Sequence, residues 1–344
     1  MQSQKVLFIT DKLEHYRIPL FNLIANNVDL TIAHSSKHQE NTLFKQQQLE
    51  IQNKGPFTYY KAPNLSQFDV VIYPFNVRSL NLFYESLRKS SYKKGLFGIG
   101  VSASYTKFYD QRSILDYLRI FYLKKFDFAI FYENYPLIKY KALGIPSSKM
   151  SVAYNTVAEN PDFDIKNKRF ESFLFIGSLN KKKKIFTLIE AFHSLLKSNK
   201  KQLKLEIIGD GDEFLNLENY IKINKLENNI ILHGQITSED KLLPIMQRAA
   251  VCISPGQAGL SVQKCFSYAT GFITTKDAIT GGEIFSIIDS VNGNFYDGTV
   301  EDLTKVMSLY YEPDYTKQVS MNAYNFYKDF RNTQIWMKGF LEYI

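Results

Sequence analysis

The chain has 344 residues and a formal net charge of +8, from 42 lysines and arginines against 34 aspartates and glutamates. Apolar residues make up 45% and charged residues 22%, a composition that excludes an intrinsically disordered chain. At about 150 residues per domain the length predicts two domains, and 27 Phe and 23 Tyr supply a core for each. The positive charge favours anionic partners, and phosphate groups, acidic membrane surfaces and nucleic acid all fit its sign.

The two cysteines, Cys252 and Cys265, are too few for a disulfide framework or a four-thiolate metal site, and we expect both in a core. The N-terminal apolar run at 6–9 is too short for a signal peptide. No apolar stretch approaches the roughly 18 residues of a membrane span, and the five histidines lack metal-binding spacing. We therefore expect a cytoplasmic protein without a metal ion or an organic cofactor.

Short apolar runs alternate with amphipathic stretches along the chain. In the first half they predict strands and helices in the order 5–10, 18–25, 28–33, 68–73, 78–89, 95–100, 113–125, 126–131 and 135–143. After a polar segment at 158–170 the alternation restarts, in the order 172–176, 185–196, 203–208, 213–225, 230–232, 239–248, 251–254, 262–268 and 272–274. The pattern predicts an α/β protein of two doubly wound, Rossmann-like domains, 1–160 and 170–325, with a ligand-binding cleft between them.

Three glycine-containing loops follow strands of the second domain. The first runs from Gly177 to four consecutive lysines at 181–184, the second is 254–261, and the third is 280–283. A glycine at a strand end lets the backbone approach a ligand, and the next helix offers unpaired amides. Each loop alone also fits a solvated turn or tight packing. Together they indicate a site for a phosphorylated, sugar-like ligand.

The order of residues from 173 to 298 resembles the nucleotide-sugar domain of GT-B glycosyltransferases, in particular the retaining family 4. The matching positions are 175–177, 183, 188–192, 207–211, 233–234, 254–255, 259–260, 267–271, 283 and 292–293. Segments 16–22 and 143–156 are similar to bacterial polysaccharide glycosyltransferases of that family. The resemblance implies the GT-B fold, with an acceptor-binding first domain and a C-terminal helix at 326–344 that crosses back to it.

The resemblance also implies a donor site. Lys183 stands six residues after Gly177, where the family's lysine holds the donor diphosphate, and would neutralise the leaving group as a catalytic residue. The loop of Gly234 and Gln235 would meet the nucleobase. The other donor-binding residues that the resemblance implies are Gly177, Ser178, Gly256, Gln257, Gly259, Leu260, Ser261, Lys264 and Glu283.

The sequence departs from the family pattern at several positions. Ser178 replaces a phosphate-binding arginine, and with Gly271 as the anchor the two glutamates of the E-x7-E motif fall at Ala258 and Phe266. Gln257, Gln263 and Lys264 are the candidates for the ribose contact, and the segment 98–100 lacks the histidine usual in the first domain. A catalytically silent GT-B scaffold that binds glycan or a partner transferase is therefore the alternative to an enzyme.

Two segments of the first domain carry further hypotheses. Glu14 and His15, in the loop after the first strand, either position the acceptor hydroxyl as catalytic residues or form an ordinary polar loop. The helix at 111–125 either lies in an anionic membrane interface or is buried on two sides. The membrane alternative uses an apolar surface and basic flanks, namely Phe121, Tyr122, Leu123, Arg112, Arg119, Lys124 and Lys125.

The resemblance thus implies a metal-independent, retaining hexosyltransferase of surface polysaccharide synthesis. It would move a sugar from a UDP- or GDP-sugar to a glycan acceptor that we expect to be lipid-linked. Its partners would be the donor, the acceptor and an anionic membrane surface, on the inner face of the cell membrane. The sequence lacks helix-turn-helix, RNA-recognition and zinc-finger patterns, which argues against nucleic acid as a partner.

Overall fold

The computed structural model describes residues 3–103, 108–198 and 203–344. The chain divides into two compact units. The first unit comprises residues 3–103, 109–158 and 332–344, and the second comprises Phe108 with residues 159–198 and 203–331. The chain therefore leaves the first unit after residue 158 and returns to it at residue 332, whereas the sequence-based boundaries lie at 160, 170 and 326.

The first unit is built on a parallel sheet. In chain order its strands are β1 (Lys5–Ile9), β2 (Asp29–His34), β3 (Lys45–Gln48), β4 (Ile51–Lys54), β5 (Phe57–Tyr60), β6 (Val70–Pro74), β7 (Lys93–Gly98), β8 (Phe128–Phe131) and β9 (Met150–Val152). Seven of them pair in the order β3-β2-β1-β6-β7-β8-β9, all parallel, while β4 and β5 form a separate antiparallel hairpin. This is the doubly wound order, which reverses direction between β1 and β6.

Helices cover both faces of this sheet. They are α1 (Ile18–Ala25), α2 (Leu80–Leu87), α3 (Leu115–Lys125) and α4 (Asn134–Ala142). Side chains alternate along β1, so Leu7 joins one core with residues of α2, α3 and α4, and Phe8 joins the other with residues of α1. A parallel sheet buried on both faces needs apolar residues on both sides of each strand, as in the buried run of β6.

Three residues of α3 are buried, although the membrane hypothesis requires them on the surface. Tyr122 and Leu123 are buried in the core that also contains Tyr140 of α4. Arg119 is 8% exposed and forms an ion pair with Asp116 at 2.6 Å. The prediction that these three side chains face a membrane is wrong, because the helix packs against the sheet and its neighbouring helices along that side. Phe121 is half-buried, and Arg112, Lys124 and Lys125 are exposed.

The second unit repeats the architecture. Its strands are β10 (Ser172–Ile176), β11 (Lys204–Ile208), β12 (Ile230–Gly234), β13 (Ala249–Ile253), β14 (Gln257–Ala258), β15 (Gly271–Thr275), β16 (Ile279–Thr280) and β17 (Gly293–Tyr296). Its helices are α5 (Ile185–Ser198), α6 (Phe214–Ile223), α7 (Glu239–Arg248), α8 (Ser261–Ser267), α9 (Val300–Ser308) and α10 (Pro313–Phe330). The main sheet has the order β12-β11-β10-β13-β15-β17, all parallel, and β14 pairs with β16. The predicted α/β class with two doubly wound sheets is confirmed.

The last helix, α11 (Thr333–Leu341), belongs to the first unit. The Asn332 side chain caps it by accepting a hydrogen bond from the Ile335 amide at 2.9 Å. The buried rings of Trp336 and Phe340 pack on the first unit's core, with Trp336 6.1 Å from Phe21 between ring centroids. Across residues 3–103, 108–198 and 203–344, no helix is long and apolar enough to cross a membrane.

Candidate functional site

The loops at the carboxyl ends of β10, β11 and β12 are held together by their backbones. The Gly177 amide donates to the Ile208 carbonyl at 3.0 Å, and the Gly209 amide donates to the Gly234 carbonyl at 2.8 Å. A Cβ on Gly209 would lie 1.8 Å from the Gly177 carbonyl oxygen, so only glycine permits this approach. The first glycine loop therefore rests on the neighbouring loop and has a defined position.

A short turn separates the four consecutive lysines into two environments. The Asn180 side chain accepts a hydrogen bond from the Lys182 amide at 3.1 Å and so starts the turn, which ends at Lys184 in a left-handed conformation with φ of 51°. Lys183 is 6% exposed, whereas the other three lysines are exposed. A Cβ on Gly177 would lie 3.1 Å from the Lys183 Nζ atom, so this ammonium lies against the backbone of the glycine loop.

The surroundings of Lys183 favour an anionic ligand. Burial lowers the pKa of Lys183, while Cys252 and Glu283 nearby act to raise it. Within the described part of the chain, no hydrogen bond or ion pair reaches its ammonium group. A buried charge is costly unless it is paired, so binding of an anion such as a diphosphate would remove an existing penalty.

The second and third glycine loops meet beside the first. A Cβ on Gly256 would lie 2.0 Å from the Lys182 carbonyl oxygen, which fixes the second loop against the lysine turn. Gln257 begins β14, which pairs in parallel with β16 of the third loop. The buried Glu283 carboxylate accepts a hydrogen bond from the Gly281 amide at 2.9 Å and so shapes that loop. The structure thus brings Gly177, Lys183, Gly256, Gln257 and Glu283 into one group of adjoining loops.

Other predicted donor residues border this group. Gly234 has φ of 66°, a Cβ placed on it would meet no atom within 4 Å, and Gln235 is exposed, so the backbone after β12 is open to a ligand. Ser178 is exposed, and its hydroxyl oxygen accepts a hydrogen bond from the Asn180 amide group at 3.0 Å. Gly259, Leu260 and Ser261 are half-buried where α8 begins.

Lys264 is paired with Glu239, a residue that the sequence pattern does not single out. Its Nζ lies 2.5 Å from the Oε1 atom of Glu239, and the other oxygen of Glu239 accepts a hydrogen bond from the Tyr268 hydroxyl at 2.5 Å. Glu239 begins α7, five residues after Gly234, and its side chain is 48% exposed. The only sequence signal is an acidic residue in the first turn of a helix, which the helix dipole alone explains.

The two positions first assigned to the missing glutamates lie in the core. Ala258 and Phe266 are fully buried, and Phe266 packs on Phe326 with a centroid distance of 6.1 Å. Ala269 has a left-handed backbone, with φ of 49°, which favours glycine. With Ala269 as the anchor in place of Gly271, both glutamate positions move two residues earlier, to Gly256 and Lys264.

The candidate residues of the first unit lie at the carboxyl end of β1. Glu14 and His15 are both exposed, and the His15 ring contacts the Tyr16 ring at 5.8 Å between centroids. Among the residues that the structure describes, no group of three or more His, Cys, Asp or Glu side chains is arranged to hold a metal ion.

The second unit matches a known family. Residues 158–326 match the model of the family described as Glycosyl transferases group 1. The matched segment includes all three glycine loops. No curated protein sequence is significantly similar to this chain.

Solved structures resemble the chain over nearly its whole length. HepE of Anabaena in complex with UDP has a TM-score of 0.71 at 13% identity, covering 98% of this chain and 99% of that one. The apo form of WaaB, a lipopolysaccharide outer core galactosyltransferase, has a TM-score of 0.66 at 17% identity, covering 98% of both chains. A mutant of S. aureus TarM with fondaparinux, alpha-GlcNAc-glycerol and UDP has a TM-score of 0.68 at 11% identity, covering 98% and 99%. The chain thus has the GT-B fold.

Proposed function

We propose that this protein is a glycosyltransferase that moves a sugar from a UDP- or GDP-sugar to a glycan acceptor. The observation that carries the proposal is Lys183, a buried ammonium that lies against Gly177 without an ion pair in the described chain. HepE has been solved with UDP and with UDP-glucose, which supports a nucleotide-sugar donor for the same fold. A silent scaffold would have no need to keep an unpaired buried cation at this position.

The proposed chemistry follows the retaining family 4. Lys183 binds the donor diphosphate and stabilises the negative charge that forms as the bond between the sugar and the phosphate breaks. The acceptor oxygen forms the new bond on the same face of the sugar, and its proton passes to the departing phosphate oxygen. Neither a metal ion nor a carboxylate pair is needed for this reaction. Glu14 and His15 are the proposed positioning residues for the acceptor hydroxyl.

Glu239 is the proposed ribose ligand. The revised position of the second family glutamate is Lys264, whose ammonium is 2.5 Å from the Glu239 carboxylate. The Glu239 carboxylate, five residues after Gly234 in the chain, accepts hydrogen bonds from the two ribose hydroxyl groups, as acidic residues do in other nucleotide-binding α/β folds. The pair Glu239–Lys264 thus replaces one glutamate with a carboxylate from the neighbouring helix.

The acceptor in this proposal is lipid-linked, and the protein binds an anionic membrane surface. The helices α2 and α3 contact each other. Exposed apolar side chains lie on them and just before α3, with Leu87 64%, Ile114 83% and Tyr117 78% exposed. Lys124 and Lys125 are exposed at the end of α3. Apolar groups with basic neighbours favour reversible binding to anionic lipid. The similarity to WaaB, a lipopolysaccharide galactosyltransferase, agrees with a glycan acceptor on a lipid.

The test is a binding and turnover experiment on Lys183→Ala. The wild type is expected to bind UDP or GDP and to transfer sugar to acceptor. The variant should lose roughly 10²- to 10³-fold in rate, or about 3–4 kcal/mol of transition-state stabilisation, because the diphosphate loses its buried cation. Nucleotide affinity of the wild type should also fall at alkaline pH, because Lys183, whose pKa is lowered by burial, loses its proton and its charge there. The variant should lack that pH dependence.

The matched control is Lys181→Ala, which removes an exposed lysine two residues away. Its rate should stay within a few-fold of wild type. Equal rates in Lys183→Ala and wild type, with both folded, would show that Lys183 does not serve the donor. Nucleotide binding without transfer to any acceptor would support the scaffold alternative.

A further inference from the structure

A guanidinium group at the carboxyl edge of the first unit's sheet has no part in the donor site. Arg17 lies in the short turn between β1 and α1. Its Nη2 atom donates a hydrogen bond to the Tyr132 hydroxyl at 2.9 Å. The guanidinium carbon lies 5.4 Å from the ring centroid of Tyr132, 5.8 Å from that of Phe97 and 6.0 Å from that of Tyr16. Two rings at strand ends and one in the turn therefore lie beside one cation.

The charge of Arg17 is not neutralised by the described residues around it. Burial acts to lower the pKa of Arg17, the Tyr132 and Tyr16 hydroxyls act to raise it, and the net shift is upward, so the group stays protonated. None of the carboxylates in the described ranges forms an ion pair with it, and Glu14, three residues earlier, is exposed. Aromatic faces attract a cation only modestly when compared with a carboxylate or phosphate partner.

The Arg17 guanidinium also has hydrogen-bond donors beyond the one that Tyr132 accepts from. A guanidinium has five N–H donors, and the Tyr132 hydroxyl accepts from one of them. The remaining donors are of the kind that binds a carboxylate or a phosphate through charge-assisted hydrogen bonds. The carboxyl ends of the strands, where Arg17, Phe97 and Tyr132 meet, are the edge at which doubly wound sheets bind ligands.

We propose that Arg17 binds an anionic group of the acceptor, a carboxylate or a phosphate, so that the acceptor is an acidic glycan. This inference rests on the proposed function and adds the chemical class of the acceptor. Tyr132 and Tyr16 hold the guanidinium in place, and their rings exclude water from one side of it. An uncharged glycan would leave the cation unpaired, which gives the site selectivity as well as affinity.

The experiment measures binding of three small saccharides by ligand-observed NMR. The full chain is first saturated with UDP, so that the phosphate-binding loop around Lys183 is occupied. Methyl glucuronide, glucose 1-phosphate and methyl glucoside are then titrated separately. The wild type should bind at least one of the two anionic probes about 10-fold more tightly than the glucoside. A preference for the glucuronide identifies a carboxylate and a preference for the sugar phosphate identifies a phosphate.

Two variants of Arg17 separate the effect of its charge from the effect of its planar shape, and a third variant is the control. Arg17→Gln should abolish the preference, and Arg17→Lys should keep a weaker one, because the charge remains while the planar fork is lost. Arg78→Gln, which removes an exposed arginine of the same unit, should keep the full preference. Thermal unfolding checks that each variant folds.

Failure of the Arg17 inference can be distinguished from failure of the proposed glycosyltransferase function. Equal binding of all three probes by the wild type overturns the inference without any variant. A preference that survives in Arg17→Gln overturns it as well. Absence of UDP binding in the first step instead counts against the proposed function, and the comparison of wild type with Arg17→Gln then still reports on Arg17.

Discussion

Lys181 and Lys183 are two residues apart, yet one is exposed and the other is buried at 6% exposure. The sequence predicts Lys183 as the functional lysine through its spacing from Gly177. The difference in exposure is caused by the Asn180 cap and the left-handed backbone of Lys184, which together turn the Lys183 side chain inward. Glu239 could not be predicted in this way, because its significance depends on a contact with Lys264, 25 residues away.

Glu239→Gln should reduce discrimination between ribose and dideoxyribose nucleotides. Titrations compare UDP with 2′,3′-dideoxy-UDP, because only UDP offers hydroxyl groups to the carboxylate. The wild type should prefer UDP by about 10-fold or more, as expected for hydrogen bonds to a charged group, and the variant should lose most of that preference.

Glu218→Ala provides the control, since Glu218 pairs with Lys222 on an exposed helix face of the same unit. This variant should discriminate as the wild type does. A full preference for UDP in Glu239→Gln would remove Glu239 from the donor site, even if the variant were less stable.

At the scale of the elements, the buried strands could be predicted, whereas the edge strands β3 and β9 of the first sheet could not. The apolar runs at β1, β6 and β10 are clear in the sequence because both faces of each strand are buried. β3 has the sequence KQQQ and pairs only with β2, and β9 has three residues and pairs only with β8. A strand that pairs on one side only can form without an apolar run, so the hydrophobic pattern of the sequence does not reveal β3 and β9.

The contact between the second glycine loop and the lysine turn leads to a prediction for Gly256→Ala. The new Cβ would lie 2.0 Å from the Lys182 carbonyl oxygen, so one of the two loops must move. We expect a loss of about 1–3 kcal/mol in the free energy of unfolding, together with weaker UDP binding, since Lys183 moves with the turn. Chemical denaturation and UDP titration measure the two effects.

Gly259→Ala is the matched substitution in the same loop. Its new Cβ would be 3.7 Å from the Gln257 Nε2 atom, an ordinary contact. Its stability should stay within about 1 kcal/mol of wild type. Equal losses in the two variants would mean that the close approach at Gly256 does not hold the loop.

The exposed surface of α2 and α3 gives a second prediction at this scale. Sedimentation with anionic liposomes should show binding that weakens as salt rises, because each basic residue contributes about 1 kcal/mol near such a surface. Ile114→Ser, Tyr117→Ser, Lys124→Glu and Lys125→Glu together should abolish it. These side chains are exposed, so the fold should persist.

The control is the double charge reversal Lys305→Glu and Lys317→Glu on the second unit, where both lysines are exposed. Liposome binding should survive this change. Absence of wild-type binding to anionic liposomes at low salt would indicate an acceptor that does not require membrane attachment of the protein.

For the whole molecule, the repeated doubly wound pattern made two units predictable from the alternation of strands and helices. The return of the chain to the first unit was implied only by the family resemblance. Trp336 and Phe340 reveal it in physical terms, since their rings stack at 5.1 Å and pack against the first unit's core. An amphipathic helix alone does not indicate which core it will cover.

Trp336→Ala should destabilise the first unit by about 3–5 kcal/mol, because a large buried ring is removed from a packed core. UDP binding at temperatures below unfolding should persist, since the proposed donor residues all lie between 177 and 283. Ile335→Ala, on the same helix but only half-buried, should cost less. A loss of UDP affinity in folded Trp336→Ala would contradict this separation.

The discontinuity of the first unit affects how the protein is made on the ribosome. Residues 3–158 emerge first, but the helix that covers Phe8 and Phe21 is translated only after the entire second unit. At roughly 5–20 residues per second, synthesis of the intervening segment takes about 10–35 s. During that time the nascent first unit exposes an apolar surface that its final helix will cover, which is the kind of surface that chaperones bind.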